Sequence, residues 1–285
     1  MDPHPTRGWQ LQDKASSVGV QFQLGAHGLR RVPLTGAPHR ILTTGDSSIF
    51  GHGLRDADTL HMQLHAALKN RGQHVDVLTA GVPGYTSAQT LDQMERFGWG
   101  LNPDVLVIGN LWSDSDYESA ADPDWQHGPP QSPLKRHSRA LQMLEVTLGS
   151  GPKKVDWITT AGPEGARRVS LSDYAQNLEH LIRGARERDI RVLMLLPCNR
   201  ELASGSTAPP KGWPWTVYFE RARSTSQRLG VAQVEGCAVA QAKGLTGDQA
   251  FLDEMHPTAA LNQAYAQAIA DKLTALGWPS SDPPN

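Results

Sequence analysis

Residues 104–112 read DVLVIGNLW and residues 191–198 read RVLMLLPC. Both are apolar almost throughout instead of alternating with polar residues, the pattern of strands buried on both faces of a parallel sheet. Working outward, three more runs have strand character: Arg40–Asp46 (RILTTGD), His74–Val82 (HVDVLTAGV) and the weaker Val231–Val234. Between them the apolar spacing becomes helical. In Asp58–Arg71, Leu60, Leu64 and Leu68 recur every fourth residue, with Asp56 or Asp58 placed to cap the start and Gly72 to end it. Ser87–Phe97 follows the second strand. Ser170–Arg188 opens with SLSD and carries Leu178, Leu181 and Ile182 on one face. Pro257–Leu276 places proline at a first helical position, then Leu261, Tyr265, Ile269, Leu273 and Leu276 on one stripe. This alternation of strand and helix, with no internal repeat, predicts a doubly wound α/β domain with helices on both faces.

The chain has 285 residues, and Lys+Arg 27 against Asp+Glu 29 leaves a net charge of −2. That balance excludes a basic footprint for nucleic acid or an anionic membrane surface. No apolar run approaches the roughly 20 residues of a membrane span. The opening MDPHPTRGWQLQDK lacks a basic segment followed by an apolar one, so it does not read as an uncleaved secretory precursor. The default expectation is cytoplasmic, with an exported mature chain an alternative and the oligomeric state undetermined. The two cysteines, Cys198 and Cys237, are too few for a disulfide framework or a cysteine-rich zinc site, and Cys198 reads as a small buried hydrophobe. The expected organisation is an N-terminal arm (1–38), one α/β domain (39–278) and a Pro/Ser-rich tail (279–285). The domain is interrupted by Ser115–Val169, too long for an ordinary connection and expected to hold one helix, Leu134–Leu148.

Ligands of such sheets bind beyond the carboxyl ends of the strands. At the first of those ends stands GDSSIFGHG (45–53), where Ser47 follows a strand in a Gly-flanked turn. A plain turn and helix start uses the same residues, and a GDS tripeptide arises by chance in about one chain in ten. A serine nucleophile needs a base, and the base needs an orienting carboxylate. Asp-x-x-His supplies both, and it occurs three times, at Asp58/His61, Asp124/His127 and Asp253/His256. Of these, Asp253/His256 follows the final strand and precedes Pro257 and the last helix.

GDSSIFGHG, AGVPGYTSAQ, PDVLVIGNLWSD and DEMHP, in that order and spacing, resemble the four blocks of the SGNH hydrolases, the GDSL-type esterases and lipases. The upstream GAHGLRRV and downstream RRVSLSDYAQNLEHLI look like flanking segments of bacterial members. The resemblance spans roughly residues 25–275 and implies a flavodoxin-like three-layer α/β/α fold with a Ser–His–Asp triad. On that pattern Ser47 is the nucleophile, His256 the general base and Asp253 the residue that orients it. Gly84 would donate its N–H to the oxyanion beside that of Ser47, although VPGY also reads as a simple β-turn. The third block departs from the family: Ser113 stands where an oxyanion-binding Asn is usual, Asp114 is retained, and Asn110 lies three residues earlier. One lost oxyanion donor costs roughly 3–4 kcal/mol of transition-state stabilisation. The departure therefore leaves a slower hydrolase, a donor from elsewhere (Asn110 or a loop), or a fold turned to another use.

Other signals carry less. His61 and His65 have the i, i+4 spacing of a zinc pair without the HExxH glutamate, so no metal is expected. Trp112, Trp213 and Trp215 either line an acyl or sugar pocket or cover the sheet edge. The expectation is a serine esterase or deacylase acting on a small-molecule, sugar or peptide ester, a scheme that requires no cofactor. An acyltransferase with the same triad and a non-catalytic carbohydrate- or peptide-binding protein are the alternatives.

Overall fold

The computed structural model describes residues 29–30, 34–116, 167–204 and 215–279, and the backbone of four short strand segments before them. Those segments pair as two antiparallel ribbons, Asp2–His4 with Gly8–Gln10 and Ser16–Ser17 with Val20–Gln21. The 117–166 part of the expected insertion, its helix Leu134–Leu148, Asp124/His127, Trp213 and residues 280–285 lie outside the described residues.

The apolar run at 104–112 supplies the central strand of a five-stranded sheet. Its strands are β1 (His39–Gly45), β2 (Val75–Thr79), β3 (Val105–Gly109), β4 (Arg191–Leu196) and β5 (Ala232–Glu235). Their order is β2-β1-β3-β4-β5, and every pairing is parallel. This is the flavodoxin-like order, in which successive connections leave β1 in opposite directions and open a crevice between β1 and β3.

Burial explains the unbroken apolar runs. Along β3, Leu106 and Ile108 face one cluster while Val105 and Val107 face the other, and all four are fully buried. The first cluster includes Trp99, Tyr174, Leu178, Leu181, Trp215 and Tyr218, from α5 (Leu171–Arg186), α7 (Trp215–Arg228) and the turn after α3 (Ser87–Gln93). The second includes Leu60, Leu64, Leu68, Leu261, Tyr265 and Ile269, from α2 (Leu60–Lys69) and α10 (Ala259–Ala275). No helix among the described residues is long and apolar enough to cross a membrane.

Several boundaries differ from the sequence expectation. Asp56–Asp58 form a 3-10 turn, and Thr59, whose hydroxyl donates back to Asp56 O, precedes α2 in place of an aspartate cap. Pro257 does not begin the last helix. It pairs with Phe251 in an isolated antiparallel bridge, and Thr258 caps α10 by accepting the Leu261 N–H. β3 stops at Gly109, and Trp112 opens the short helix α4 (Trp112–Ser115), because the Asp46 carboxylate takes the Trp112 N–H at 3.0 Å. The cysteines also correct the expectation. Cys198, just past β4, is bonded to Cys237 in the first turn of α8 (Gly236–Ala242). No local pattern announces this bridge, because the topology sets the end of β4 beside the helix that follows the neighbouring strand.

Candidate active site

The carboxyl end of β1 is shaped by close approach. A Cβ at Gly45 would lie 2.5 Å from Ile49 and 3.0 Å from the Gly109 backbone, so glycine alone lets β1 and β3 end side by side here. Asp46 then organises the turn with both carboxylate oxygens. Oδ1 accepts the Ser48 N–H at 3.0 Å and the Ser48 hydroxyl at 2.7 Å, capping α1 (Ser47–Phe50). Oδ2 accepts the Trp112 N–H, and more distantly that of Leu111 at 3.4 Å. Ser47 is the first residue of α1 and projects from a turn held to the rest of the sheet edge.

From the far end of the chain, His256 Nε2 lies 2.7 Å from Ser47 Oγ, and His256 Nδ1 lies 2.6 Å from Asp253 Oδ2. An ionised carboxylate only accepts, so Nδ1 carries the proton and Nε2 is left to accept from the serine hydroxyl. The other oxygen, Asp253 Oδ1, accepts the N–H groups of Met255 and His256, each at 2.9 Å. Partial desolvation pushes the Asp253 pKa up. The hydrogen bonds from the His256 ring and the two N–H groups, with the attraction of His256, outweigh it and hold the carboxyl well below its ordinary range. Of the described Asp-x-x-His pairs only this one meets Ser47. Asp58 binds Arg55, while His61 is buried in the core, its pKa driven down to about 3 by desolvation and then by the charge of Arg30. His65 Nδ1 lies 3.0 Å from Val75 O, and among the described residues no group of three His, Cys, Asp or Glu is placed to hold a metal.

Gly84 is the third residue of a β-turn closed by the Tyr85 N–H on Val82 O at 3.0 Å. Its φ of +76° after Pro83 is the geometry of a type II turn, which demands glycine there. The turn is packed onto α1, since Val82 N–H bonds Gly45 O at 3.0 Å and a Cβ at Gly81 would meet Phe50 N at 2.7 Å. Among the described residues nothing accepts the Gly84 N–H. Arg168, buried, fixes the turn from the other side by donating to Gly84 O at 2.7 Å and Gln89 Oε1 at 3.0 Å.

The third block divides the two candidate donors. The Asn110 side chain is buried and donates to Thr90 Oγ1 at 2.9 Å, while the Asn110 backbone carbonyl accepts from the Tyr174 hydroxyl at 2.6 Å. Its amide is thus committed to the α3 side. Ser113 sits in the turn that Asp46 holds beside Ser47, and among the described residues its hydroxyl makes no hydrogen bond. Asp114 accepts from the N–H of Ser87 at 2.9 Å, joining this block to the start of α3.

Two of the three tryptophans lie within the described residues. Trp112 and Trp215 are 3% and 1% exposed and pack edge-on at 6.3 Å, so they are core residues under the sheet edge. Sequence reasoning missed His52, whose ring stacks 4.6 Å from that of His256. Desolvation, then the neighbouring His256, lowers its pKa, with Asp253 opposing. The signal was present in GHG, a histidine one turn beyond the nucleophile.

Comparison with family models finds no match, and neither does comparison with curated proteins. Solved structures do match. LAE5, an alpha/beta hydrolase enzyme from the metagenome of Lake Arreo, aligns with a TM-score of 0.56 at 17% identity, over 84% of this chain and 97% of that one. A catalytic mutant of Axe2, an acetylxylan esterase from Geobacillus stearothermophilus, aligns at 0.56 and 14% identity, over 83% and 94%. The lipase/acylhydrolase from Enterococcus faecalis aligns at 0.53 and 14% identity, over 84% and 96%. At such identities the likeness is one of fold.

Proposed function

We propose that the chain is a serine esterase that hydrolyses a carboxylic ester of a small molecule, sugar or peptide. The observation that carries this reading is the unbroken hydrogen-bonded series Ser47–His256–Asp253 at the β1/β3 crevice. The resemblance of the four sequence blocks to SGNH hydrolases supports it, as do the esterases and the acylhydrolase that share the fold. His256 Nε2 removes the Ser47 proton as Oγ attacks the ester carbonyl, and Asp253 stabilises the imidazolium that forms. The oxyanion is held by the N–H groups of Ser47 and Gly84, with Ser113 as a third donor in place of the usual asparagine. His256 then protonates the leaving alcohol, an acyl-enzyme remains on Ser47, and water activated by the same base releases it.

The test is covalent labelling by a small fluorophosphonate, read as intact mass, alongside turnover of p-nitrophenyl acetate. Wild type takes one adduct, Ser47→Ala takes none, and His256→Ala reacts slowly. Turnover in both variants falls by about four to six orders of magnitude. A folded wild type that takes no label would refute the reading and favour a binding protein. Labelling without ester turnover would point to an acyltransferase awaiting its acceptor.

A further inference from the structure

We propose that Arg200 is a positioning residue that holds the loop bearing Asp253 and His256 against the end of β4. The inference rests on the serine-esterase reading for its consequence in catalysis, but the contacts stand by themselves. Arg200 is the first residue of α6 (Arg200–Ala203), and Asn199 caps that helix by accepting the Leu202 N–H at 2.9 Å. Two residues earlier the chain is bonded through Cys198 to Cys237, so Arg200 projects from a fixed base.

Every donor group of Arg200 turns to the same short segment. Its backbone N–H bonds Glu254 O at 2.9 Å, Nε bonds Asp253 O at 3.0 Å, and Nη2 bonds Phe251 O at 3.0 Å. Nη1 pairs with Asp248 Oδ1 at 2.6 Å. Three carbonyls of the loop are thereby gathered by one residue. Little else restrains this stretch, because Leu252, Asp253 and Glu254 are all exposed. Within itself the loop is closed by the bridge of Phe251 with Pro257, by the Leu252 N–H on His256 O and the Thr258 N–H on Ala250 O, each at 2.8 Å, and by the two N–H groups on Asp253 Oδ1. The loop is anchored by apolar contact at Phe251, which is buried, and at Met255, which packs on the core, and the exposed residues between them rely on polar contacts for their position.

The mode of contact is informative. Arg200 holds Asp253 by its backbone carbonyl and draws its countercharge from Asp248, so Asp253 Oδ2 remains available to the His256 ring. A guanidinium serves here because its planar fork spreads donors over three nitrogens in fixed directions, a reach that the single nitrogen of an ammonium lacks. Displacing a catalytic group by about 1 Å costs on the order of a hundredfold in rate. The effect of Arg200 therefore passes through Asp253 and His256 to kcat, without contact with substrate.

The experiment is a double-mutant cycle. Arg200→Ala lowers kcat on p-nitrophenyl acetate by roughly 10- to 100-fold and changes KM by less than about threefold, while Arg200→Lys recovers part of the loss. In a His256→Ala background, Arg200→Ala costs less than about threefold more, because the base that the loop positions, and through which Asp253 acts, is gone. Equal loss in both backgrounds would mean a general structural role and would overturn the proposal. Asp248→Ala, at an exposed position, gives a smaller fall in kcat in the same direction and serves if Arg200→Ala does not fold. The downfield proton resonance of the His256 Nδ1–H provides a readout independent of activity. Its loss in folded Arg200→Ala supports the clamp, and its persistence overturns it. If wild type neither labels nor turns over, the esterase reading fails and this resonance alone decides the clamp.

Discussion

Replacing Asp46 by Asn tests the organisation of the nucleophile turn in isolation from any reaction. The wild-type carboxylate is fully buried and accepts the Ser48 N–H and O–H through one oxygen and the Trp112 N–H through the other. Asparagine has the same shape but only one accepting atom. With its oxygen toward Ser48, the amide N–H₂ faces the Trp112 N–H, donor against donor. Turned over, it abandons the helix cap instead. Loss of an ionic acceptor weakens each retained bond by about 1 kcal/mol, and a buried unpaired donor costs about 1–3 kcal/mol. The sum is about 3–5 kcal/mol. With a urea dependence of about 3 kcal/mol per molar, the unfolding midpoint falls by roughly 1–1.7 M. Equilibrium urea unfolding followed by tryptophan fluorescence measures this directly. A midpoint lowered by less than about 0.3 M would refute the claim that this one carboxylate joins the ends of β1 and β3.

Four further outcomes are expected. Gly84→Ala, forced to a φ of +76°, costs about 1–2 kcal/mol in urea unfolding and slows fluorophosphonate labelling; unchanged labelling would remove Gly84 from the oxyanion site. Reduction of Cys198–Cys237, which closes a separation of 39 residues, lowers stability by about 4 kcal/mol on loop-closure grounds, and paired melts with and without phosphine reductant check it. The lowered pKa of Asp253 means that its contribution to stability is complete above about pH 4 and is lost as the pH falls through the folded value. The stability gap between wild type and Asp253→Asn should therefore be constant from pH 7 to about pH 5 and narrow toward pH 2; a gap that widens contradicts it. Ser113→Ala lowers kcat by about 100- to 1,000-fold with little change in unfolding, whereas Asn110→Ala, which strips Thr90 of its partner, costs about 1–3 kcal/mol of stability; reversed effects would reassign the third donor.

What was legible in the sequence was whatever depends on burial or on short spacing. β3 and β4 were visible because both their faces are covered, which forces every residue to be apolar. The Asp253–His256 pair was visible because three residues of turn suffice to join its side chains. The ends of elements were hidden where a distant group fixes them. β3 gives way to a helix at Trp112 because of a carboxylate 66 residues earlier. The separation of Ser113 from Asn110 followed from that same turn and from Thr90, neither of which marks the local sequence. The disulfide, Arg168 and Arg200 were invisible for one reason: each links segments far apart in the chain, and a surface-type residue carries no periodic signature of what it will touch.

Ser47 and His256, the proposed nucleophile and base, stand 209 residues apart, the one at the end of β1 and the other after β5. Translation at about 5–20 residues per second puts roughly 10–40 s between their emergence. On the proposed mechanism Ser47 lacks its base throughout that interval and is chemically ordinary. A nascent chain, or one cleaved anywhere between them and left unassembled, carries a silent serine, so reactivity toward a phosphonate reports that both ends of the polypeptide have come home.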